Sequence, residues 1–294
     1  MRWKRLRKSQ NVEDRRGQRR SRGMPRRGGG MKIGGGAGII LVLLGLFFGQ
    51  DIVSQLAGGP AGVVTPLGQQ SGQNNDTVAI RNDDEAGDFI KSILGGTEDI
   101  WAGLFQHYGQ TYQAPNLVLF TDAVRSACGS TSSAAGPFYC PGDSQVYIDL
   151  SFFRELQRMG AAGDFAQAYV LAHEVGHHVQ NLLGVSMEVQ RRQRSLPKKQ
   201  ANRLSVMTEL QADCYAGVWA HHAHKQFQLL EPGDLEEGMN AASKIGDDAL
   251  MRSAGRQAHP DAFTHGSSEQ RQKWLYIGLE SGNPQQCNSL EGAS

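Results

Sequence analysis

The strongest constraint on this chain is an H-E-x-x-H motif inside an apolar run from Ala168 to Gln180. In a helix, His173 and His177 lie one turn apart and project from the same face. Two neutral imidazoles at this spacing can share one Zn²⁺. Glu174 is turned about 100° from His173, so we expect it to reach a water beside the ion rather than the ion itself.

The rest of this segment predicts a helix that is anchored in a core. Gly184 is placed to end the helix, because glycine tolerates the left-handed cap. Apolar side chains form a stripe on the opposite face: Leu171, Val175, Val179 and Leu182. Two ligands and a base on one face, with core on the other, is the pattern that a zinc hydrolase needs. A chance match in a purely structural helix is the alternative, and the helical context disfavours it.

A catalytic zinc site usually has a third protein ligand, for which Glu209 is the best candidate. Glu209 and Asp213 are spaced i, i+4, so one helix face presents both carboxylates to the first helix. We expect Glu209 to bind zinc and Asp213 to accept the free N–H of His173 or His177. The alternative is a solvated pair of acids. It is disfavoured by apolar flanking residues that predict burial: Leu210, Cys214, Val218 and Trp219.

Further stretches in the same order along the chain carry a family resemblance. They are Pro115–Phe120, Gly136–Asp143, Val146–Leu150, Gly163–Ala166, Glu209–Asp213 and Thr264–Arg271. Together with the zinc motif, the run from about Asp83 to Cys287 resembles the bacterial membrane-anchored neutral zinc metallopeptidases, the YpfJ-like family. The resemblance implies a zincin-type fold with Glu209 as the glutamate ligand, and it implies no particular substrate.

The ligand set predicts a hydrolytic mechanism. Zinc lowers the pKa of its bound water to about 7, and Glu174 would take the water's proton as general base. The oxyanion that forms needs a stabiliser besides the metal. His265 and Arg271 are the candidates, with His259 as a weaker one, and a surface or capping role is the alternative for each. The histidines His221, His222 and His224 could bind a second metal ion, but a polar helix end is the simpler interpretation.

The N-terminal region predicts attachment to a membrane. Residues 1–32 contain thirteen Lys and Arg against two acids, and residues 33–49 are seventeen residues without a charge. That run is at the short end of the roughly 17–25 residues that span a bilayer. A basic flank before an apolar run predicts the N-terminus inside and the C-terminus outside. We therefore expect a basic cytoplasmic tail (1–32), a transmembrane anchor (33–50), a flexible linker (51–82) and a metallopeptidase domain (83–294).

Other interpretations of the N-terminal region are open. A cleaved signal peptide lacks a clear A-x-A site, and Arg26-Arg27 could belong to a twin-arginine signal in a poor context. An Arg-rich tail can also bind nucleic acid, but anionic lipid is the simpler partner beside an apolar segment. We expect a single-pass protein of the bacterial cell membrane whose catalytic domain is periplasmic or extracellular, with no nucleic-acid partner.

The four cysteines are consistent with an exported domain. Four cysteines permit three connectivities. The most economical pairs Cys128 with Cys140, which staples a Gly/Ser/Ala loop, and Cys214 with Cys287, which pins the C-terminus. An even count in an exported domain favours disulfides. A cysteine-rich metal site is disfavoured because no C-x-x-C is present, and reduced, buried cysteines remain possible in a cytosolic domain.

A coarse secondary-structure prediction places helices near 88–108, 165–183, 200–227 and 268–281, the last opened by a Ser267–Gln270 capping box. Leu117–Phe120 and Val146–Leu150 are predicted strands, and the second is either a substrate-edge strand or simply buried. The basic stretch Arg191–Arg203 predicts a solvated helical excursion, or one that gates the cleft or contacts the membrane. We expect an α+β, zincin-like domain that is mostly helical with a small sheet, behind an N-terminal transmembrane helix.

Two classes of function fit these features. In the first, the chain is a membrane-anchored zinc metallopeptidase that hydrolyses peptide bonds of a peptide or protein substrate, such as an exposed protein segment near the membrane. A minor variant is hydrolysis of another amide, such as a cell-wall peptide. In the second, it is a zinc-stabilised, non-catalytic binding or scaffold protein of the cell envelope. The glutamate at position 174 favours the enzyme, because a purely structural zinc site needs no general base.

Overall fold

A computed structural model describes residues 1–17 and 84–290. The predicted anchor at 33–50 and the predicted linker at 51–82 lie outside the described residues. Among the residues that are described, no helix is both long enough and apolar enough to cross a membrane. The described part is mostly helical with a small sheet, as predicted for an α+β domain.

In chain order, the described residues form one short strand and one long helix, then five short strands, and then seven further α-helices. The strands are β1 (Val12–Asp14), β2 (Asn116–Phe120), β3 (Ala123–Ser126), β4 (Gly129–Ser132), β5 (Phe138–Cys140) and β6 (Gln145–Asp149). The α-helices are α1 (Glu85–His107), α2 (Ser151–Arg158), α3 (Asp164–Leu182), α4 (Val185–Gln193), α5 (Lys198–Phe227), α6 (Asp234–Lys244), α7 (Asp247–Ser253) and α8 (Ser268–Ser281). The four predicted helices correspond to α1, α3, α5 and α8, and the capping box opens α8 as predicted.

The main sheet has the order β1-β2-β6-β5. β6 is parallel to β2 and antiparallel to β5. Side chains alternate between the two faces: Leu117 and Leu119 enter the helical core, whereas Val118 and Phe120 join a small cluster with Val124 of the β3–β4 hairpin. β6 is interior and mostly buried, so of the two interpretations of Val146–Leu150 the structure supports burial and not a substrate edge. The edge strands are β1 and β5.

The motif helix α3 lies in the centre of the helical core. Leu171, Val175 and Val179 are fully buried, as the apolar stripe predicted. Gly184 adopts a left-handed conformation with φ 77° directly after the helix. Gly176 lets α5 approach closely, because a Cβ there would lie 2.9 Å from the carbonyl oxygen of Ala212. This close approach brings the Glu209 turn of α5 against the motif.

Both predicted disulfides are present. Cys128 and Cys140 are joined at an S–S distance of 2.02 Å, and the bond ties the β3–β4 turn to β5. Cys214 and Cys287 are joined at 2.01 Å, and this bond fixes the C-terminal segment to α5. Covalent ties of this kind stabilise mainly by restricting the unfolded chain.

Residues 1–17 pack against the domain, which differs from the prediction of a separate tail. Leu6 is buried in the main core. The Ser9 N–H donates to the carbonyl of Lys91 at 2.9 Å. β1 pairs in parallel with β2, from Val12 opposite Leu117 to Asp14 opposite Leu119. The N-terminal segment is therefore part of the folded domain.

Charge pairing explains why the basic N-terminal segment packs so closely. Its cations meet acids of α1, with Arg7 bonded to both Glu98 and Asp99 at 2.7 Å and Lys8 to Asp88 at 2.7 Å. The charge count along the sequence predicts a separate basic tail, because the count does not show which acids lie opposite these cations in the fold. The tertiary fold brings these opposite charges together.

The described residues on either side of the stretch from 18 to 83 lie next to each other in the fold. Arg16 forms an ion pair with Asp84, and it also binds Asp14 at 2.6 Å. A single membrane crossing between residues 17 and 84 would place the two flanks on opposite sides of the bilayer. In one molecule, that topology and the docked N-terminal segment exclude each other.

Candidate active site

Helices α3 and α5 bring the three predicted metal ligands together. The Nε2 atom of His173 lies 3.1 Å from Oε2 of Glu209, and Nε2 of His177 lies 3.4 Å from Oε1. One candidate ligand atom from each residue lies within 4.8 Å of the other two. His173 and Glu209 are buried, and His177 is partly exposed toward the cleft.

Asp213 lies behind His173, on the side away from the other ligands. Its Oδ1 is 2.7 Å from Nδ1 of His173 and accepts from the Tyr169 hydroxyl at 2.6 Å. The Arg271 guanidinium donates to both carboxylate oxygens at 2.9 Å. Burial alone would raise the pKa of Asp213, but Arg271 and His173 lower it to about 2. The carboxylate therefore stays ionised and fixes the orientation of the imidazole.

Gln180 occupies the corresponding position behind His177. Its Oε1 is 2.8 Å from Nδ1 of His177, and its amide nitrogen donates to the Thr208 carbonyl at 2.7 Å. The sequence analysis missed this residue. The available signal was its spacing, because a residue three positions after His177 lies on the same helix face. Both candidate ligands thus have Nδ1 bonded within the protein and direct Nε2 toward Glu209.

The donor set fits a cation. In a neutral His173 whose Nδ1–H donates to Asp213, Nε2 is an acceptor that faces a carboxylate oxygen of Glu209. Two buried acceptors in contact require a positive charge between them. In the metal-free protein a proton fills this role: burial lowers the pKa of His173, but Asp213 and Glu209 outweigh it and raise the pKa to about 10. A divalent metal ion would replace that proton.

Glu209 has the electrostatics of a metal ligand. Burial alone would raise the pKa of its carboxyl group, but the neighbouring charge of His177 and the hydrogen bonds of both histidines hold the pKa well below its ordinary value. The carboxylate is therefore charged and available in a site that excludes most water.

Glu174 lies at the same cleft with different electrostatics. Its carboxyl group is buried, and burial raises its pKa although His173 and His177 oppose the shift. The backbone N–H of Tyr139 in β5 lies near this carboxylate and also opposes the rise in its pKa. A raised carboxyl pKa suits a group that accepts a proton and then releases it at neutral pH.

A hydrogen-bond chain fastens β5 to the motif helix next to Glu174. His178 lies 2.6 Å from the carbonyl oxygen of Gln113 through Nε2 and 3.1 Å from the Tyr139 hydroxyl through Nδ1. Because a carbonyl only accepts, Nε2 carries the proton and Nδ1 accepts from the hydroxyl. Asn181 donates to the same hydroxyl at 3.0 Å. The sequence analysis assigned no role to Tyr139, His178 or Asn181.

His265 also lines the cleft, as a sequence-predicted catalytic candidate should. Its Nδ1 is 3.1 Å from Oδ1 of Asp247. The other oxygen of Asp247 accepts the backbone N–H groups of Thr264, His265 and Gly266 at 2.6 to 3.1 Å. Burial lowers the pKa of His265, but Asp247 outweighs it and the pKa is raised. The sequence analysis missed Asp247, which holds this loop.

The other sequence candidates lie in supporting or remote positions. Arg271 is committed to Asp213, Tyr169 and the Ile245 carbonyl, so it positions His173 instead of reaching a substrate oxyanion. His259 is exposed and does not line the cleft. The three histidines at the end of α5 bond to backbone groups, which supports a structural role: His221, His222 and His224.

The cleft around these residues is large and mostly apolar, with a volume of about 420 Å³. The β5 region supplies Pro137, Phe138 and Tyr139, and α4 supplies Val189 and other side chains. β5 is a terminal strand of the sheet, so it borders the cleft as an edge. The cleft can therefore bury an apolar group while its floor presents the metal ligands and Glu174.

Two imidazoles and a carboxylate on adjacent helices, with a glutamate and a His–Asp pair in one cleft, define an H-E-x-x-H protein with a glutamate placed as the candidate third metal ligand. The sequence profile of a family described as "Putative neutral zinc metallopeptidase" matches residues 1–290. The chain belongs to this family, and membership implies a metal cofactor that the clustered ligands fit.

Bacterial relatives match along most of their length. YpfJ of Escherichia coli strain K12 is 47% identical over 99% of both chains. Mb2605 of Mycobacterium bovis is 38% identical over 80% of this chain and 83% of its own length. Both relatives are described as uncharacterized, so they supply no substrate. No solved structure matches the chain.

Proposed function

We propose that this protein is a zinc-dependent peptidase that hydrolyses peptide bonds in the cleft between β5 and α4. The observation that supports it best is the convergence of His173, His177 and Glu209 beside the buried carboxyl group of Glu174. Two neutral imidazoles and a carboxylate are the ligands of several catalytic zinc sites, which leave one coordination position open.

Bound zinc would supply Lewis acidity, which polarises the substrate carbonyl and makes a water molecule more acidic. Glu174 accepts a proton from the attacking water at its carboxylate and passes it to the leaving amine. Asp213 and Gln180 keep the imidazole rings oriented, so that each Nε2 lone pair points at the metal position.

His265 would stabilise the oxyanion of the tetrahedral intermediate. Asp247 holds its Nδ1 and raises its pKa, so the imidazole is protonated over a wider range of pH and can donate from Nε2. A donor aimed at developing charge contributes about 10²–10³ in rate in other hydrolases. This role makes His265 a catalytic residue and Asp247 a positioning residue.

The substrate would be an extended peptide segment with an apolar side chain. An extended peptide can add to the free edge of a strand by backbone pairing, and β5 is the edge strand beside Glu174. The apolar wall of the cleft would take a side chain next to the scissile bond, for which Phe138, Phe152 and Val189 are available.

The test of catalysis compares two Glu→Gln substitutions in the full chain. Glu174→Gln should lower kcat for hydrolysis of unstructured proteins such as casein by at least ~10² while zinc content stays near one ion per chain. Glu188→Gln makes the same chemical change at an exposed site outside the cleft, so its kcat should match that of the wild type. Unchanged hydrolysis in Glu174→Gln would refute this mechanism. Bound zinc without hydrolysis of a broad peptide library would favour the non-catalytic scaffold.

We also propose that the protein works at the bacterial cell envelope, with the catalytic domain outside the cytoplasm and anionic lipid at the basic N-terminal region. Because residues 1–17 dock on the domain, residues 33–50 would attach the protein to the outer face of the membrane instead of crossing it once. The two disulfides support this location, because disulfides persist in oxidising compartments. A nucleic-acid partner is not part of the proposal.

Single-cysteine labelling tests the location and the side of the N-terminal segment. All four native cysteines are in disulfides, so Gln10→Cys and Tyr276→Cys each add the sole free thiol at an exposed site. The docking of residues 1–17 predicts that both react with a membrane-impermeant maleimide added outside intact spheroplasts. Reaction at 276 alone would mean that the N-terminal segment stays inside, apart from the domain. Reaction at neither position would refute an external domain.

A further inference from the structure

The corner between α4 and α5 has an unusual surface composition. Six of the sixteen Lys and Arg residues between 84 and 290 lie between 191 and 203, and the only acid between 183 and 203 is Glu188. The whole of 84–290 contains 23 acids, so this corner is a basic surface on an acidic domain. The six are Arg191, Arg192, Arg194, Lys198, Lys199 and Arg203.

Exposed apolar side chains lie directly beside these cations. Met187 in α4 is 72% exposed, and Leu183 at the end of α3 is 43% exposed. They are two of the four large apolar side chains that stand exposed in the described part of the chain. Scattered exposed apolar residues are normal, but here two of them border a cluster of positive charge.

The spacing places the exposed methionine and two arginines on one side of α4. Met187, Arg191 and Arg194 are spaced i, i+4, i+7 and share a face. The adjacent face of α4 lines the cleft with Ser186, Val189, Gln190 and Gln193. One short helix therefore presents the cleft wall on one side and a basic, apolar surface on the other.

We propose that this corner, defined by Leu183, Met187 and the six cations, binds an anionic lipid surface and holds the opening of the cleft at the bilayer. Interfacial helices bury apolar side chains among lipid headgroups while Lys and Arg contact the phosphates. Nucleic acid also attracts such charges, but residues 183–203 contain no aromatic side chain on which a base could stack. The exposed side chains of Met187 and Leu183 also favour lipid, because apolar side chains can be buried at the membrane interface.

Part of this charge is already paired within the protein. Arg191 bonds to Glu188 at 2.8 Å, and Lys199 to Asp261 at 2.7 Å. Exposed pairs of this kind contribute little to stability, so lipid phosphate can compete for these side chains. Arg194 and Arg203 are both exposed at the corner and are the best positions for substitution.

A fluorescent probe on the full chain tests the proposal without any activity assay. Met187→Cys adds the sole free thiol, which carries an environment-sensitive dye, and Tyr276→Cys on α8 is the matched control site. Each protein is reconstituted into phosphatidylcholine vesicles with or without phosphatidylglycerol. We expect a blue shift of the dye at 187, absent at 276, that requires phosphatidylglycerol and disappears in 1 M salt.

Charge variants decide whether the corner itself makes the contact. Arg194→Gln/Arg203→Gln should lower the ratio of contacting to free dye by roughly 30-fold, since each basic residue near an anionic surface contributes about fivefold. Lys225→Gln/Lys273→Gln removes two exposed cations elsewhere and should leave the blue shift unchanged.

Three results would overturn the proposal. They are no blue shift at 187, an equal shift in vesicles without phosphatidylglycerol, and a response to an oligonucleotide in place of vesicles. None of these outcomes depends on whether the protein hydrolyses peptides.

Discussion

Two buried carboxylates, Asp213 behind the metal ligands and Glu98 beneath the N-terminal segment, are built alike. Asp213 receives bonds from Tyr169, His173 and Arg271. Glu98 receives bonds from the side chains that dock on it, at 2.6 to 2.8 Å: Arg7, Ser9 and Asn11. Each carboxylate is at most 5% exposed and satisfied by three partners. The sequence predicted the bond between Asp213 and a histidine, but not the bonds from Tyr169 and Arg271, and it predicted nothing of the arrangement around Glu98.

The difference lies in how the partners are distributed along the chain. Asp213 is one turn from Glu209 on the same helix, so helix periodicity places it at the site once the motif is recognised. The partners of Glu98 come from a segment 87 to 91 residues earlier in the chain. No local periodicity connects them, and basic composition alone favours a solvated tail. If the N-terminal segment is an integral part of the fold, removing its contacts should lower the stability of the domain.

The largest effect is expected from deleting residues 1–17 in the full chain. The deletion exposes the core around the Leu6 position and the edge of β2, and it leaves Glu98 without partners. Loss of a buried leucine alone costs about 2–5 kcal/mol, a large share of a typical free energy of unfolding of about 5–15 kcal/mol. We expect no cooperative thermal transition, as measured by circular dichroism. Deleting 66–82 is the control, and equal stability of the two deletions would mean that the N-terminal segment is dispensable.

Asp213→Asn should weaken zinc binding, whereas a substitution of Glu98 should not. The amide cannot keep the charge balance with Arg271, and it holds His173 less firmly, so zinc affinity should fall by about 10–100-fold. Glu98→Gln changes a carboxylate that is equally buried but docks the N-terminal segment. It should lower the free energy of unfolding by about 1.5–3 kcal/mol and leave zinc affinity unchanged in competition with a chelator. Equal zinc affinity in the two variants would contradict this division of roles.

The sign of the stability change in Gly95→Ala depends on whether residues 1–17 dock on α1. A Cβ at Gly95 would overlap the carbonyl oxygen of Arg7, so we expect the free energy of unfolding to fall by about 1–3 kcal/mol. Without docking, alanine should stabilise α1 by about 0.5–1 kcal/mol. Gly103→Ala lies in the same helix with open space around it and should stabilise by that amount. Denaturant unfolding of both variants measures the difference, and stabilisation in both would show that residues 1–17 do not dock.

The smallest effect concerns the pKa of His265. Burial lowers this pKa and Asp247 raises it above its ordinary value of 6.5, so Asp247→Asn should lower it. The stabilisation that the raised pKa provides is complete below about pH 6.5 and is lost as pH rises through the folded pKa. Asp247 has a lowered pKa, so its own contribution is lost at acid pH. NMR titration of the His265 ring in the metal-free protein tests this. An unchanged pKa in Asp247→Asn would show that Asp247 does not raise the pKa of His265.

Much of the site follows from local sequence. His173, Glu174, His177, Glu209 and Asp213 share two helices, and their spacing predicts which of them face one another. Gln180 lies on the same face and could have been found by the same argument. Asp247 and Tyr139 could not, because each reaches the site through contacts with residues far away in the chain.

The sequence by itself determined the four long helices and the helix faces that carry His173, His177 and Glu209, and it also predicted the α+β class and the disulfide pairing. A helix repeats every 3.6 residues, so its faces can be inferred from residues a few positions apart. The tertiary structure alone decided that β5 is the edge beside Glu174, that Arg271 supports His173, and that residues 1–17 are part of the domain. These features depend on contacts between residues distant in the chain, and only the packed fold brings those residues together.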